Sequence, residues 1–314
     1  MHTYLIMMNR GIVIKSTGSR YTVKDGKGTY LECLIGGKLR IQDSKITNPV
    51  AVGDFVTYEI NGDYGIIKSI EQRKNYIIRK SSNLSRQGHI IASNIDLAVL
   101  IVTVKYPSTL TTFIDRFLVT AEAYRIPAVL LFNKIDLFNE DEIEYNNAMM
   151  YVYEQIGYPC LAISIEKEMN MTKVRELMQG KICLLSGHSG VGKSSLIRYL
   201  DPSKNIRISP ISDAHHKGKH TTTHSEMFEL ENNTFIIDTP GIKGFGVIDI
   251  NKEEVYHFFP EFFKLSSQCQ YYNCTHLHEP NCAVKDALDK DLISISRYNS
   301  YLSILSGDDN KHRK

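Results

Sequence analysis

Lys181-Ile-Cys-Leu-Leu-Ser-Gly187-His188-Ser189-Gly190-Val191-Gly192-Lys193-Ser194-Ser195-Leu-Ile-Arg-Tyr-Leu200 runs from an apolar stretch through a glycine-rich turn into helical spacing. Strand, loop and helix in that order are the context that G-x-x-x-x-G-K-[ST] requires. Gly187, Gly190 and Gly192 allow the backbone N–H groups of this loop, His188, Ser189 and Val191 included, to close around phosphate oxygens. The start of the helix adds its positive end there. Lys193 is expected to reach the β- and γ-phosphates, Ser194 to ligate Mg²⁺, and Ser195 to lie beside it in the nucleotide-binding set. The alternative is a glycine-rich strand–helix turn that binds nothing.

Working outward, Asn133-Lys134-Ile-Asp136 directly follows the apolar run Val129-Leu-Leu-Phe. A carboxylate at 136 can accept from both N1–H and the exocyclic amine of guanine. Adenine offers no such donor pair and would leave the carboxylate desolvated and unpaired. Beside a phosphate loop this reads as selection of GTP. Ser164, at the end of the next strand, is a candidate for the base edge, with a plain strand end as the alternative. On the other side, Asp238-Thr-Pro-Gly241 ends the strand Thr234-Phe-Ile-Ile. Asp238 can hold Mg²⁺ through water, and the Gly241 N–H can sense a γ-phosphate. Between loop and Asp238 lies Lys217-Gly-Lys-His220-Thr-Thr222-Thr. Thr222 is the preferred switch ligand for Mg²⁺, with a solvated polar loop as the alternative. The base-reading motifs precede the phosphate loop, the reverse of the usual GTPase order.

The surrounding pattern alternates strands and helices from Ile95 onward: strand, helix about 110–124, strand 128–132, helix about 140–156, strand 160–164, helix about 171–179. This predicts a parallel, doubly wound α/β sheet. The first seventy residues differ. Short β-branched and aromatic runs alternate with Asp25-Gly26, Gly36-Gly37 and Asn61-Gly62, which suit hairpin turns. Five or so strands without a helix fit a small closed barrel, either an OB-fold or an SH3-like barrel. Arg79 to Gly88 reads as a polar linker. After Gly246 the spacing is helical, interrupted by Cys269-x4-Cys274-x-His276-x5-Cys282, and the chain closes on a polar tail. Three thiolates and an imidazole form a closed tetrahedral set, the signature of structural zinc, with His276 preferred over His278. Cys33, Cys160 and Cys183 are expected in the core. The fold class is therefore multidomain α/β: a barrel over 1–75, a permuted GTPase domain over 76–246 and a helical zinc-binding domain over 247–314.

Composition sets the outer limits. The chain is 42% hydrophobic and 23% charged, the proportions of a soluble protein with real cores. No apolar run approaches the ~20 residues of a membrane span, and Met1–Met8 lacks the features of a signal peptide. Six cysteines, three of them clustered, point to metal and a reducing cytoplasm. Net charge is +2, yet residues 1–90 carry fourteen Lys or Arg against seven Asp or Glu, so the front end is +7 and the rest −5. A basic front end suggests a polyanionic partner.

Permuted motif order, GHSGVGKSS, KGKHTTT, DTPG and the cysteine cluster together resemble the bacterial ribosome small-subunit-dependent GTPase A (RsgA, YjeQ or YloQ) family. The resemblance runs from about Arg10 onward, leaving residues 1–8 as an extension. It implies an N-terminal OB-fold, a circularly permuted GTPase domain and a C-terminal zinc domain. It also implies a role in late 30S maturation, with GTP hydrolysis stimulated by that subunit, and contact with rRNA through the barrel. It makes a cytoplasmic monomer the expectation, with GTP and GDP as ligands and no membrane partner. Ile242 stands where Ras-like enzymes place a water-orienting glutamine. The resemblance favours His220 as the catalytic residue instead, a plain loop histidine being the alternative. Two other function classes stay open: an RNA-binding assembly scaffold with a passive nucleotide site, and a protein-directed signalling GTPase.

Overall fold

The computed structural model describes residues 8–37, 39, 49–80, 88–203, 225–238 and 250–306. His220, Thr222 and Gly241 lie outside them, as do residues 1–7 and the polar tail. The chain begins with strands β1 (Asn9–Ser16), β2 (Tyr21–Asp25), β3 (Tyr30–Ile35), β4 (Phe55–Asn61), β5 (Tyr64–Ile70), β6 (Tyr76–Lys80) and β7 (Gly88–Ser93). There follow β8 (Leu97–Val102), α1 (Thr111–Ala123), β9 (Ala128–Phe132), α2 (Glu140–Ile156), β10 (Cys160–Ala162) and α3 (Met171–Met178). Next come β11 (Ile182–Ser186), α4 (Lys193–Leu200), β12 (Ser225–Leu230) and β13 (Thr234–Asp238). The last elements are α5 (Pro260–Ser266), α6 (Ala283–Asp289) and α7 (Ile295–Ser306).

Two compact units result, one of Met1–Leu97, Arg175–Leu185 and Leu200–Lys243, the other of Ala98–Val174, Ser186–Tyr199 and Gly244–Lys314. In the first, β1–β5 form a ring in the order β1-β2-β3-β5-β4, and β4 pairs back onto β1. All pairings are antiparallel except β3 with β5. Closure leaves no exposed edge to template aggregation. This is the OB-like member of the two barrels that the strand pattern allowed. Alternation puts Val13, Tyr21, Val23, Val56, Tyr58 and Ile67 inside, with Cys33 among them.

Asp54, fully buried, anchors the chain that leaves the barrel. It accepts from Arg73 Nε at 2.7 Å and Nη2 at 2.6 Å, from Ser93 Oγ at 2.6 Å and from the Ala51 N–H at 2.8 Å. Asp54→Ala strands a largely buried guanidinium and should cost about 3 kcal/mol, read as a lower urea midpoint. An unchanged midpoint would show that the network contributes nothing.

The polar stretch 79–88, read as a linker, has strand at its described ends, residues 79, 80 and 88; residues 81–87 lie outside the described residues. β6 and β7 form an antiparallel ladder in which Arg79 faces His89 and Lys80 faces Gly88. The apolar pairs Ile77-Ile78 and Ile90-Ile91 carry the ladder into the polar run from both sides, because backbone pairing is indifferent to side-chain polarity. In the same unit β11 pairs in parallel with β13, and β13 runs antiparallel to β12, which reaches β1 at Lys15 and Ser16. β12 was not anticipated from the sequence.

In the second unit β8, β9 and β10 lie side by side in parallel. Every residue of β8 and β9 is buried, as in a sheet covered on both faces. α2 starts at a capping box in which Asn139 accepts from the Glu142 N–H and Glu142 accepts from the Asn139 N–H. It ends at Gly157 with φ 112°. α5, α6 and α7 close on Phe259, Phe262, Val284, Ile293 and Tyr301, and Val119 of α1 joins that cluster. No helix among the described residues is long and apolar enough to cross a membrane.

Candidate nucleotide site and metal centre

β11 delivers the chain into the loop 187–192, and two glycines there answer to geometry. Gly187 has φ 142°, and a Cβ on it would sit 2.7 Å from the Ile101 carbonyl. Gly192 has φ 114°, with a Cβ position 2.5 Å from Asn133 Nδ2. That close approach allows Asn133 to act as a clamp. Its Nδ2 donates to the Val191 carbonyl at 2.8 Å, and its Oδ1 accepts from the Ile165 N–H at 3.2 Å. Asn133 itself is buried and fixed by its N–H on Val102 at the end of β8. One side chain thus ties the phosphate-loop candidate to the loop after β10. Gly192→Ala breaks this clamp and places a side chain in left-handed backbone. It should weaken nucleotide binding at least tenfold (roughly 1.4 kcal/mol) with the fold retained; equal affinity by titration would remove the clamp from the site.

Lys134, held at φ 70°, donates from Nζ to the Gly190 carbonyl at 2.7 Å and to the Tyr106 carbonyl. Asp136 sits half-buried on the short 3₁₀ turn Ile135–Leu137 that follows. Lys193, the first residue of α4, is mostly buried, and its Nζ donates to the carbonyls of Gly187 at 2.6 Å and His188 at 2.5 Å. Burial lowers its pKa from the ordinary lysine value. Ser194 and Ser195 are exposed at the helix start, and Ser189 and Gly190 are exposed in the loop. The His188 ring stacks on Phe113 of α1, with centroids 4.0 Å apart; burial, then the Lys193 charge, lowers its pKa. Ser164 is fully buried, and its hydroxyl accepts from the Lys167 N–H at 3.0 Å, so its side chain is spent on a turn. Only the backbone there remains for a base. Asp238 ends β13.

The second cluster is metal-like. Sγ of Cys269, Cys274 and Cys282 and a ring nitrogen of His276 all lie within 4.8 Å of one another. His276 Nδ1 is 3.7 Å from Cys269 Sγ and 3.4 Å from Cys282 Sγ. Metal–sulfur bonds of ~2.3 Å and metal–nitrogen bonds of ~2.0–2.1 Å at the tetrahedral angle give N···S edges of about 3.5 Å. The four groups fit one tetrahedral ion. The loop is braced from outside by Glu279, whose carboxylate accepts from the N–H groups of Thr275, Leu277 and His278 and from the Thr275 hydroxyl. Burial opposes ionisation of Glu279, but these donors outweigh it and hold the carboxyl down at about 2. Spacing alone does not single out Glu279, because its four donors converge only once the turn has formed.

Two family models match the chain: RsgA GTPase over residues 70–248 and RsgA N-terminal domain over residues 10–67. The chain belongs to the RsgA GTPase family. Among RsgA relatives, "Small ribosomal subunit biogenesis GTPase RsgA 2" of Bacteroides thetaiotaomicron is 54% identical over 297 residues, 94% of this chain and 96% of that one. "Small ribosomal subunit biogenesis GTPase RsgA" of Flavobacterium psychrophilum is 53% identical over 307 residues, 96% of this chain and 94% of that one. Of solved structures, YjeQ from Thermotoga maritima superposes with a TM-score of 0.78 at 32% identity, covering 96% of this chain and 98% of that one. A structure described as "YloQ, a circularly permuted GTPase" gives 0.74 at 29% identity, with 100% of both chains covered. The inverted motif order of this RsgA chain thus has a structural counterpart.

Proposed function

We propose that this chain is a cytoplasmic GTPase that acts in maturation of the 30S ribosomal subunit, binds rRNA and is stimulated to hydrolyse GTP by that subunit. The observation that carries the reading is the Asn133 clamp, which joins a guanine-selective motif to a phosphate loop. Relatives named as small-subunit biogenesis GTPases, more than half identical over nearly the whole chain, support the biological role.

In this reading the three parts 1–75, 76–246 and 247–314 serve RNA contact, hydrolysis and metal-braced docking. Asp136 takes the guanine N1–H and amine, with the backbone near Ser164 at the base edge. The N–H groups of 187–195 surround the phosphates, and Lys193 exchanges its carbonyl partners for β- and γ-oxygens. Ser194 and Thr222 would hold Mg²⁺ directly, and Asp238 through water. That ion neutralises charge on the phosphates when bound. Gly241 would sense the γ-phosphate. The side chain of Ile242 carries no hydrogen-bonding group, so the attacking water falls to His220. The Cys269, Cys274, His276 and Cys282 set would hold zinc, whose role is structural because no open position remains. The basic barrel meets rRNA mainly through phosphates, so affinity falls steeply with salt.

The test is GTP turnover with purified 30S subunits, with 50S subunits and with neither. Stimulation by 30S alone is expected; a rate indifferent to 30S, or no turnover at all, would favour a passive scaffold. His220→Ala should lower the stimulated rate by about 10²-fold or more while GTP still binds. An unaffected rate would remove His220 from the mechanism.

A further inference from the structure

The phosphate loop and the metal-binding module grip opposite sides of the same helix. On α1, Phe113 stacks against His188 of the loop. Asp115, two residues on and therefore about 200° around the helix, faces away from it. Its Oδ1 accepts from Arg297 Nη1 at 2.7 Å, and both side chains are buried to within 1%. Arg297 is held from its other side by Glu261 of α5, at 2.7 and 3.1 Å, and its guanidinium lies over the Phe259 ring. From the same helix, α7, Tyr298 donates to the His276 carbonyl at 2.7 Å and Tyr301 to the Thr275 carbonyl at 2.6 Å. The metal-ligand loop, α7, α1 and the phosphate loop are therefore joined by directional contacts.

A buried ion pair is a weak source of stability compared with apolar residues of the same volume. Arg297, however, is fixed in place by two bonds to Glu261, which gives its one bond to Asp115 a defined direction and so fixes the orientation of α1. Orientation is what the Phe113–His188 stack needs, since a rotation of α1 by one residue position would carry the ring about 100° away from the loop. We infer that α1 is a strut through which the metal-binding module positions the phosphate loop, making Phe113 and Arg297 positioning residues for the guanine nucleotide. The inference rests on the GTPase reading above. By linkage the effect is reciprocal: nucleotide on the loop steadies α7.

The experiment measures affinity for a fluorescent GDP analogue in the full-length protein as purified, in Phe113→Leu and in the double variant Asp115→Leu/Arg297→Met. It also measures amide hydrogen exchange across 295–306 with and without GDP. Phe113→Leu keeps the apolar character and loses the ring; the double variant removes the Asp115–Arg297 pair and leaves Glu261 without its guanidinium partner. Each variant is expected to retain helicity yet bind GDP about fivefold or more weakly. GDP should slow exchange across 295–306 in the parent chain and not in Phe113→Leu. Affinities within twofold of the parent, or exchange across 295–306 that GDP leaves unmoved, would overturn the strut. If the double variant does not fold, the exchange comparison in the parent chain and Phe113→Leu decides alone. A parent chain that binds no GDP would overturn the GTPase reading instead.

Discussion

Asp136→Asn should convert the site from guanine to xanthine. In the proposed site the carboxylate would accept twice from guanine; an asparagine offers one acceptor and one donor, and its donor would meet the exocyclic amine of guanine head-on. Xanthine carries a carbonyl where guanine has that amine, so the same donor then finds an acceptor. Charge-assisted hydrogen bonds are worth about 1.5–3 kcal/mol each, and leaving a buried partner unmatched adds to the loss. Affinity for GDP should fall by roughly 10²–10³-fold, while xanthosine diphosphate, ignored by the parent chain, should bind. The fold should not notice. The turn is held by backbone bonds, Leu137 N–H to the Lys134 carbonyl and Phe138 N–H to the Ile135 carbonyl. Competition between the two nucleotides, read by calorimetry, checks this. Unchanged GDP affinity would place the base elsewhere.

Metal removal should have the largest structural effect. The C-terminal cluster is a small core of a few aromatic and aliphatic residues around Phe259, Phe262 and Tyr301, and so small a module gains little from burial alone. A structural zinc ion contributes an apparent ~10–16 kcal/mol at neutral pH. Without metal, burial raises the Cys274 thiol to about 12 and pushes Cys282 up as well, each with neighbouring cysteines contributing. Cys274 and Cys282 are then held as thiols, and binding an ion through them must release their protons. Retention therefore weakens as pH falls. A strong chelator at neutral pH should release one zinc per chain and cost the helicity of 250–306, seen as a drop in far-UV ellipticity and new proteolytic cuts. Cys274→Ser should behave like the chelated protein. Purified protein free of zinc, or helicity that survives chelation, would contradict this.

The parts of the fold written in local pattern were legible from the chain. The 187–195 loop declares itself because glycine, lysine and serine at fixed spacing between strand and helix have few other uses. β9 could be read to its boundaries because Ala128–Phe132 is uniformly apolar and flanked by Pro127 and Asn133. Cys33, Cys160 and Cys183 are indeed buried, and burial pushes the latter two up to about 12. What escaped depends on pairing across the sequence. The ladder of β6 and β7 hid behind polar side chains, since its hydrogen bonds belong to the backbone. β12 carries two glutamates in six residues, which weakens its strand signal, yet it is held by β13 on one side and β1 on the other. The Asp115–Arg297 pair joins residues 182 apart, and nothing near either one announces it. At Ser164, whose place at the strand end suggests backbone contact with a base edge, the hydroxyl is taken up by the Lys167 N–H in a local turn.

The central claim is that motifs met in permuted order converge on one guanine-selective pocket. Calorimetric titration of the purified chain with GDP and, separately, with ADP in the presence of Mg²⁺ tests it most directly. The expected result is saturable one-to-one binding of GDP with at least a hundredfold preference over ADP, equivalent to about 2.7 kcal/mol. Equal affinity for the two nucleotides, or heat from neither, would contradict the account.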